Sequence, residues 1–253
     1  MEAERVEREQ SFWDQAAPAA AKAWRQYERA QAGVEPNVQM AIDALGPLDG
    51  LRILDFACGA GVLSCVLASR GAKVTAVDLS PVSIEVACEL ASRAQVDVRF
   101  LAGDLLELEL DPGCFDAVIG IYALHHVDIS AYAPALAALL TQDGRAAFVE
   151  TMAANPLLRF ARRHLVGHLG IPRLGSPDEH PLTDEDVAFI GRAFGKGVHV
   201  GQAEYLFVSM IDRQALFGRY PRVDRTLGAI DRQLARIPPL EGWSYRRVIT
   251  IGA

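Results

Sequence analysis

Residues 54–61 read LDFACGAG: a β-type apolar run, LRILDF from residue 51, carries Asp55 and then passes through Gly59 and Gly61 into the helix-like VLSCVLAS. Glycines at such a turn let a ligand approach the backbone, and the helix behind them offers N–H groups that have no partner within the helix. This implies a nucleotide-like ligand at the carboxyl end of the strand. The dinucleotide fingerprint G-x-G-x-x-G needs a third glycine at position 64, where this chain has Ser64, and it makes no demand for an acid at Asp55. A carboxylate at this turn repels a pyrophosphate and attracts a cation. The ligand expected is positively charged and free of phosphate.

Outward from this turn the pattern repeats. The runs LRILDF, KVTAVDL, VDVRFL, FDAVIGI and RAAFVET are separated by helix-like segments rich in Ala, Leu and Glu. Such alternation specifies right-handed crossovers and a parallel, buried sheet, so five strands are expected before residue 152. Upstream, residues 2–32 carry charges interleaved with Phe12, Trp13, Trp24 and Tyr27 and have no glycine before Gly33, which reads as one or two amphipathic helices capping the site. Downstream, Pro156, Pro172, Pro177 and Pro181 break the rhythm, and the stretch LLRFARRHLVGHL between them reads as helical. A new helix starts at Thr183, where Thr183 and Asp186 fit a capping box and Leu182 and Val187 a hydrophobic staple. The strands GVHVGQAEYLFVSM and WSYRRVITI, flanking a helix near Val223–Arg236, end the chain.

A length of 253 residues suits one α/β domain with an elaboration. Hydrophobic residues make up 51% and charged residues 23%, so a sizeable core can form and wholesale disorder is excluded. The net charge of −7 argues against a phosphate backbone or an anionic bilayer as partner. The two longest runs without a charged residue, Phe56–Ser69 and Ile129–Gln142, are 14 residues each, below the roughly 18–20 that span a membrane. The start, MEAERVEREQ, lacks the pattern of a secretory signal, so a cytoplasmic location is expected. Cys58, Cys65, Cys88 and Cys114 form no CxxC pair, and neither a disulfide nor a metal site is expected.

The segment around Gly59 resembles the first motif of the class I S-adenosylmethionine-dependent methyltransferases, an acid followed by three residues and G-x-G, here Asp55, Phe56, Ala57, Cys58, Gly59, Ala60 and Gly61. That family's ligand is a sulfonium with an ammonium group and no phosphate. The resemblance continues through AVDLS, GDLLEL and FDAVIGIYALHHV and covers about residues 51–151. It implies that Asp78, with Leu79 and Ser80 after it, takes the ribose hydroxyls, and that Asp104, beside Leu105, accepts from the adenine amino group. Ala57, Cys58, Gly120 and Ile121 would line the donor site, with Trp13 and Tyr27 closing over it from the cap. The implied fold is a Rossmann-like, seven-stranded, mostly parallel sheet of order 3-2-1-4-5-7-6 with an antiparallel last strand. The chain then divides into a helical cap at 1–45, a cofactor-binding core at 51–151, a substrate lid at 152–195 and C-terminal strands at 196–253. S-adenosylhomocysteine would be the product.

The segment after the fourth strand bears on the acceptor. Members of the superfamily that methylate adenine, cytosine or glutamine amides carry there an Asp, Asn or Ser followed by Pro-Pro and an aromatic, whereas this chain reads GIYALHH. The double-glutamate loop of the protein arginine methyltransferases is also missing. LHHV and FVET resemble instead the small-molecule (methyltransferase type 11-like) branch, common in secondary metabolism and cofactor biosynthesis. The acceptor expected is a hydroxyl, amine or carbon of a small molecule, and methyl transfer to it needs alignment and, for a hydroxyl, a base. His125 is the first candidate base, Glu150 its orienter or the base itself, and His126 the third. Arg159, Arg162 and Arg163 could clamp an anionic acceptor but fit a solvated helix face better, and Asp178, Glu179 and His180 form a polar loop between prolines. Two other readings stay open, a cyclase-like enzyme that binds S-adenosylmethionine without transferring its methyl group, and a silent adaptor, against which the intact Asp55, Gly59, Gly61 and Asp78 speak. Either a monomer or a homodimer is compatible.

Overall fold

The computed structural model describes residues 2–156, 159–160, 164, 179–204, 221–234, 236–237, 240 and 243–252. Three helices come first, α1 (Glu2–Ala16), α2 (Ala20–Ala32) and α3 (Pro36–Ala44). Then come β1 (Arg52–Phe56), α4 (Val62–Ser69), β2 (Lys73–Asp78), α5 (Pro81–Ala94), β3 (Val98–Ala102) and β4 (Phe115–Ile121); strands and helices alternate as expected up to β3, but no helix separates β3 from β4, where turns fill residues 103–114 in place of the expected helical segment. A 3-10 turn at Leu124–His126 leads to α6 (Ile129–Leu139), which runs directly into β5 (Leu140–Thr151). After α7 (Asp184–Phe194) come β6 (Val198–Glu204), α8 (Pro221–Leu234) and β7 (Arg246–Ile251).

The seven strands form one sheet of order β3-β2-β1-β4-β5-β7-β6, and β7 runs antiparallel to both of its neighbours. This is the expected Rossmann-like topology. Strand β5 begins five residues before the RAAFVET run, because Leu140 already pairs with Phe115 across a bulge.

Residue alternation builds the two layers. On β5, Ala146 and Phe148 face one core while Ala147 and Val149 face the other, as a period of two dictates. The first face packs with Leu136 of α6 and with Ile190 and Phe194 of α7; the second packs with Ala41 and Ile42 of α3 and Leu67 of α4. Each fully buried side chain of this size contributes about 1.5–3 kcal/mol, so α7 is structurally committed to the sheet.

Helix α7 starts as its sequence predicts. Asp186 N donates to Thr183 Oγ1 at 3.2 Å and Thr183 N donates to Asp186 Oδ2 at 2.8 Å, a complete capping box. With Val187, Ile190 and Phe194 buried, the end of the stretch read as lid belongs to the core. The segment before it is tied to β5, since Leu182 N donates to Thr151 O and Ala153 N to Leu182 O.

The N-terminal helices divide in function. Tyr27 and Ala23 are buried against Cys65, Val66, Leu90 and Ala91, and the Arg93 guanidinium lies 3.9 Å over the Trp24 ring. Helix α2 is therefore a wall on α4 and α5, and Trp24 and Tyr27 do not close over the site as the cap reading expected. Helix α1 does lie across it, with Ser80 Oγ donating to Asp14 Oδ1 at 2.5 Å and Trp13 reaching His126. Arg162, Arg163, Asp178 and the strand residues 205–210 fall outside the described residues.

Candidate active site

The strand order reverses between β1 and β4, where an open α/β sheet forms its ligand crevice at the carboxyl ends. Pairing of Phe56 with Gly120 sets those two ends level. Immediately beyond them Ala57 and Tyr122 both take φ of 57°, a left-handed conformation that costs a side-chain-bearing residue on the order of 1–2 kcal/mol. Both line a cavity of about 520 Å³. Gly59, at φ 52°, lines it too, and a Cβ added there would meet nothing within 4 Å, so the cavity opens onto bare backbone.

One end of the cavity is bounded by the carboxylates of Asp78 and Asp104 with Leu79, Leu105 and Ile121. Asp78 accepts from Gly59 N at 2.7 Å through Oδ2 and from Ser80 N at 3.0 Å through Oδ1. Burial raises its pKa above the ordinary carboxylate range, and the two N–H donors oppose that rise. Asp104 Oδ1 accepts from Leu106 N at 2.9 Å and from the Tyr132 hydroxyl at 2.6 Å. A carboxylate has about four acceptor positions, so each retains capacity toward the cavity.

The other end holds the histidines. Glu150, fully buried, accepts from Ala123 N at 2.9 Å and Leu124 N at 2.8 Å through Oε1, while Oε2 lies 2.6 Å from His125 Nδ1. A carboxylate already receiving two N–H groups acts as acceptor, so Nδ1 carries a hydrogen and Nε2 is the nitrogen turned to the cavity. His126 is different. Burial, then the neighbouring His125 and Arg5, lower its pKa to about 3, and its Nδ1 lies 3.5 Å from Glu9 Oε2. Trp13 donates to the same Glu9 oxygen at 2.9 Å and meets the His126 ring edge-on at 5.2 Å, so helix α1 and His126 form a packed wall.

Of the other residues read as donor-binding, the structure brings several close without exposing them to this cavity. Asp55 is buried, takes a 2.5 Å hydrogen bond from Ser64 Oγ, and lines with Cys58 a neighbouring cavity of about 620 Å³ on the far side of the turn. Burial pushes Asp55 up to about 7 and the Cys58 thiol far above its ordinary value, which makes that thiol unreactive. Gly61 is a packing glycine: an added Cβ would stand 2.7 Å from Ala87 Cβ. Ser80 caps α5, accepting from Ser83 N, and Gly120 leaves room for Phe148, 3.1 Å from where a Cβ would sit.

Sequence reading missed Glu9, Tyr122 and Tyr132. Tyr122 directly follows the Gly120–Ile121 pair, where a side chain in the left-handed region carries no compositional signal; Asn37 Nδ2 donates to its hydroxyl at 3.2 Å. Among the described residues no cluster of three His, Cys, Asp or Glu side chains could hold a metal ion, and no helix is long and apolar enough to cross a membrane.

Residues 53–144 match a family model described as a methyltransferase domain. Over 141 residues the chain is 47% identical to a ubiquinone biosynthesis O-methyltransferase of Xylella fastidiosa (strain 9a5c). That match covers 54% of this chain and 56% of the relative, so the chain spans about half the length of this curated protein. Among solved structures it is similar to the YcgJ protein from Bacillus subtilis, with a TM-score of 0.61 and 22% identity over 85% of this chain and 96% of that one. It is also similar to the magnesium protoporphyrin IX methyltransferase from Synechocystis PCC 6803 with bound S-adenosylhomocysteine, with a TM-score of 0.54 and 20% identity over 90% and 81% of the two chains. At these identities the structural likeness is one of fold. Residues 53–144 are thus similar to a methyltransferase domain, set within a sheet of order β3-β2-β1-β4-β5-β7-β6.

Proposed function

We propose that this protein transfers the methyl group of S-adenosylmethionine to a hydroxyl of a small molecule, leaving S-adenosylhomocysteine. The observation that carries the reading is the His125–Glu150 dyad, 2.6 Å apart, at one end of a cavity whose other end is formed by Gly59, Asp78 and Asp104. The donor fits that end. Gly59 admits a ligand to the backbone, and Asp78 and Asp104 supply acceptors for ribose hydroxyls and an adenine amino group. Arg246 is the sole Lys or Arg among the described lining residues, which suits a cationic, phosphate-free ligand. Bound there, the donor supplies a methyl carbon already activated by sulfonium.

The chain's own work is alignment and proton removal. The nucleophilic oxygen forms its bond to carbon as the carbon–sulfur bond breaks, and His125 Nε2 takes the hydroxyl proton. Glu150 holds the ring through Nδ1 and stabilises the imidazolium that results. His126, with its pKa near 3, is too weak a base for this role. The name of the Xylella relative, an O-methyltransferase, supports a hydroxyl acceptor. We place the reaction in natural-product or cofactor biosynthesis in the cytoplasm, carried out by a monomer or homodimer without nucleic acid or membrane as partner.

Incubation with methyl-labelled donor and a metabolite extract, with identification of the labelled product, tests the reading. Label on a hydroxyl oxygen, lost in His125→Ala while donor affinity is kept, is the expected result. Absence of transfer, label on nitrogen or carbon, or undiminished transfer in His125→Ala would overturn it.

A further inference from the structure

The ring of His125 is approached from both sides. Glu150 holds Nδ1 at 2.6 Å, and Glu179 brings Oε1 to 3.7 Å from Nε2, the nitrogen that faces the cavity. That distance is beyond a hydrogen bond and inside the range where one charge governs another's protonation. Glu179 is held there by the backbone. His180 N donates to His125 O at 2.8 Å, and Leu182 pairs with β5 through Thr151 and Ala153, so the segment entering α7 is strapped to the base and to the strand that carries Glu150. Glu179 also lines the cavity itself.

The groups around the ring come from several elements. Glu150 arrives from β5 and Glu179 from the strap; the His126 ring lies 4.2 Å away on the same turn and stays neutral. On α1, Glu9 and Arg5 reach His126, at its Nδ1 and its carbonyl, and Arg246 from β7 lines the same cavity. Of the two carboxylates next to His125, Glu150 is fully buried whereas Glu179 is 16% exposed, so Glu179 is the one reached by solvent.

We propose that Glu179 is a positioning residue for the base: it holds the Nε2 edge of His125 in line with the acceptor and sets the pH at which that nitrogen loses its proton. The proposal rests on the reading of His125 as the base. In the absence of acceptor, the Glu179 carboxylate faces Nε2 across 3.7 Å, and an acceptor hydroxyl arriving there meets a ring already oriented by a carboxylate on each side. The segment at residues 179–182 thereby acts on the chemistry through a residue that makes none of the reacting bonds.

The test reads the ring directly in the full chain without acceptor, from histidine ring nitrogen–proton correlation spectra recorded across pH, with His125 assigned by its loss in His125→Ala. Glu179→Gln is expected to move the His125 titration to lower pH, so that the protonated fraction at a pH within the transition falls roughly threefold to tenfold. Glu179→Asp, which keeps the charge, is expected to return it most of the way. An identical titration in wild type and Glu179→Gln would overturn the proposal, as would equal displacement by Gln and Asp, which would mark a merely structural effect. Should His125→Ala retain full methyl transfer, the base reading falls on that result alone; the titration still decides whether Glu179 governs the ring.

Discussion

Asp55 offers the most direct measurement of what the first motif costs the fold. Its carboxyl is 2% exposed, lies under the glycine turn, and is raised from 3.8 to about 7, by burial first and by Asp78 in smaller part, with the Ser64 hydrogen bond opposing. In the unfolded chain the same group titrates at the ordinary value, so between about pH 4 and pH 7 the folded state holds a proton that the unfolded state has lost. Stability falls with rising pH wherever the folded state binds more protons. The loss is complete above the folded value and absent below the unfolded one. Replacing Asp55 by Asn keeps the shape and an oxygen for the Ser64 hydroxyl but removes the titration. A difference of about three pH units at ~1.4 kcal/mol each gives a gap between variant and wild type that grows from near zero at pH 4 to about 4 kcal/mol at pH 8. For a chain of this size that is a difference in Tm of roughly 8–16 °C. Guanidinium unfolding of both proteins at pH 4 to 8, without ligand, isolates the effect, because every other titrating group is common to the two. A gap that stays constant across this range would refute the reasoning, since it would mean that Asp55 titrates alike in the folded and unfolded states.

Three further outcomes rest on named contacts. Glu150→Gln replaces the acceptor at His125 Nδ1 by a donor, which forces the hydrogen onto Nε2 and removes the base; methyl transfer should fall on the order of 10²–10⁴ with donor affinity retained, as calorimetry and single-turnover rates would show. Gly61→Ala puts a Cβ 2.7 Å from Ala87 and 2.9 Å from the Phe100 ring at φ 70°, and should destabilise the fold by at least about 2 kcal/mol in denaturant unfolding. Thr183→Ala removes the cap that accepts Asp186 N and should cost about 1 kcal/mol by the same assay, with donor affinity unchanged.

The sheet was legible because both of its signals are local. Apolar runs of six or seven residues, most of them trailed by a helical segment, leave one arrangement open to a right-handed crossover, and Asp55-x-x-x-Gly59-x-Gly61 marks which strand ends at the ligand. The cap was legible as helix but not as contact. Trp13 and Tyr27 sit in similar polar surroundings in the sequence, yet one faces the cavity and the other Cys65 and Leu90, and only the docking of α2 on α4 and α5 decides between them. The start of a core helix was written into the chain at Thr183, inside the stretch 152–195 read as lid, because its capping box opens a helix with an apolar face, the mark of an element that packs on the core.

The candidate base shows where sequence reasoning ends. His125 and His126 are adjacent and chemically alike, and what separates them lies 25 residues away in one case and 117 in the other: Glu150 reaches Nδ1 of the first, Glu9 lies beside Nδ1 of the second. The pairing of Ile121 with Val149 sets the first relation, since it carries the chain beyond β4 to the level at which Glu150 can receive Ala123 N and Leu124 N. Docking of α1 over the cavity sets the second, because burial and Arg5 then hold His126 neutral down to about pH 3. One histidine is thus turned into part of a wall and the other presents Nε2 toward the cavity, a difference between two identical side chains that arises from strand register and helix docking.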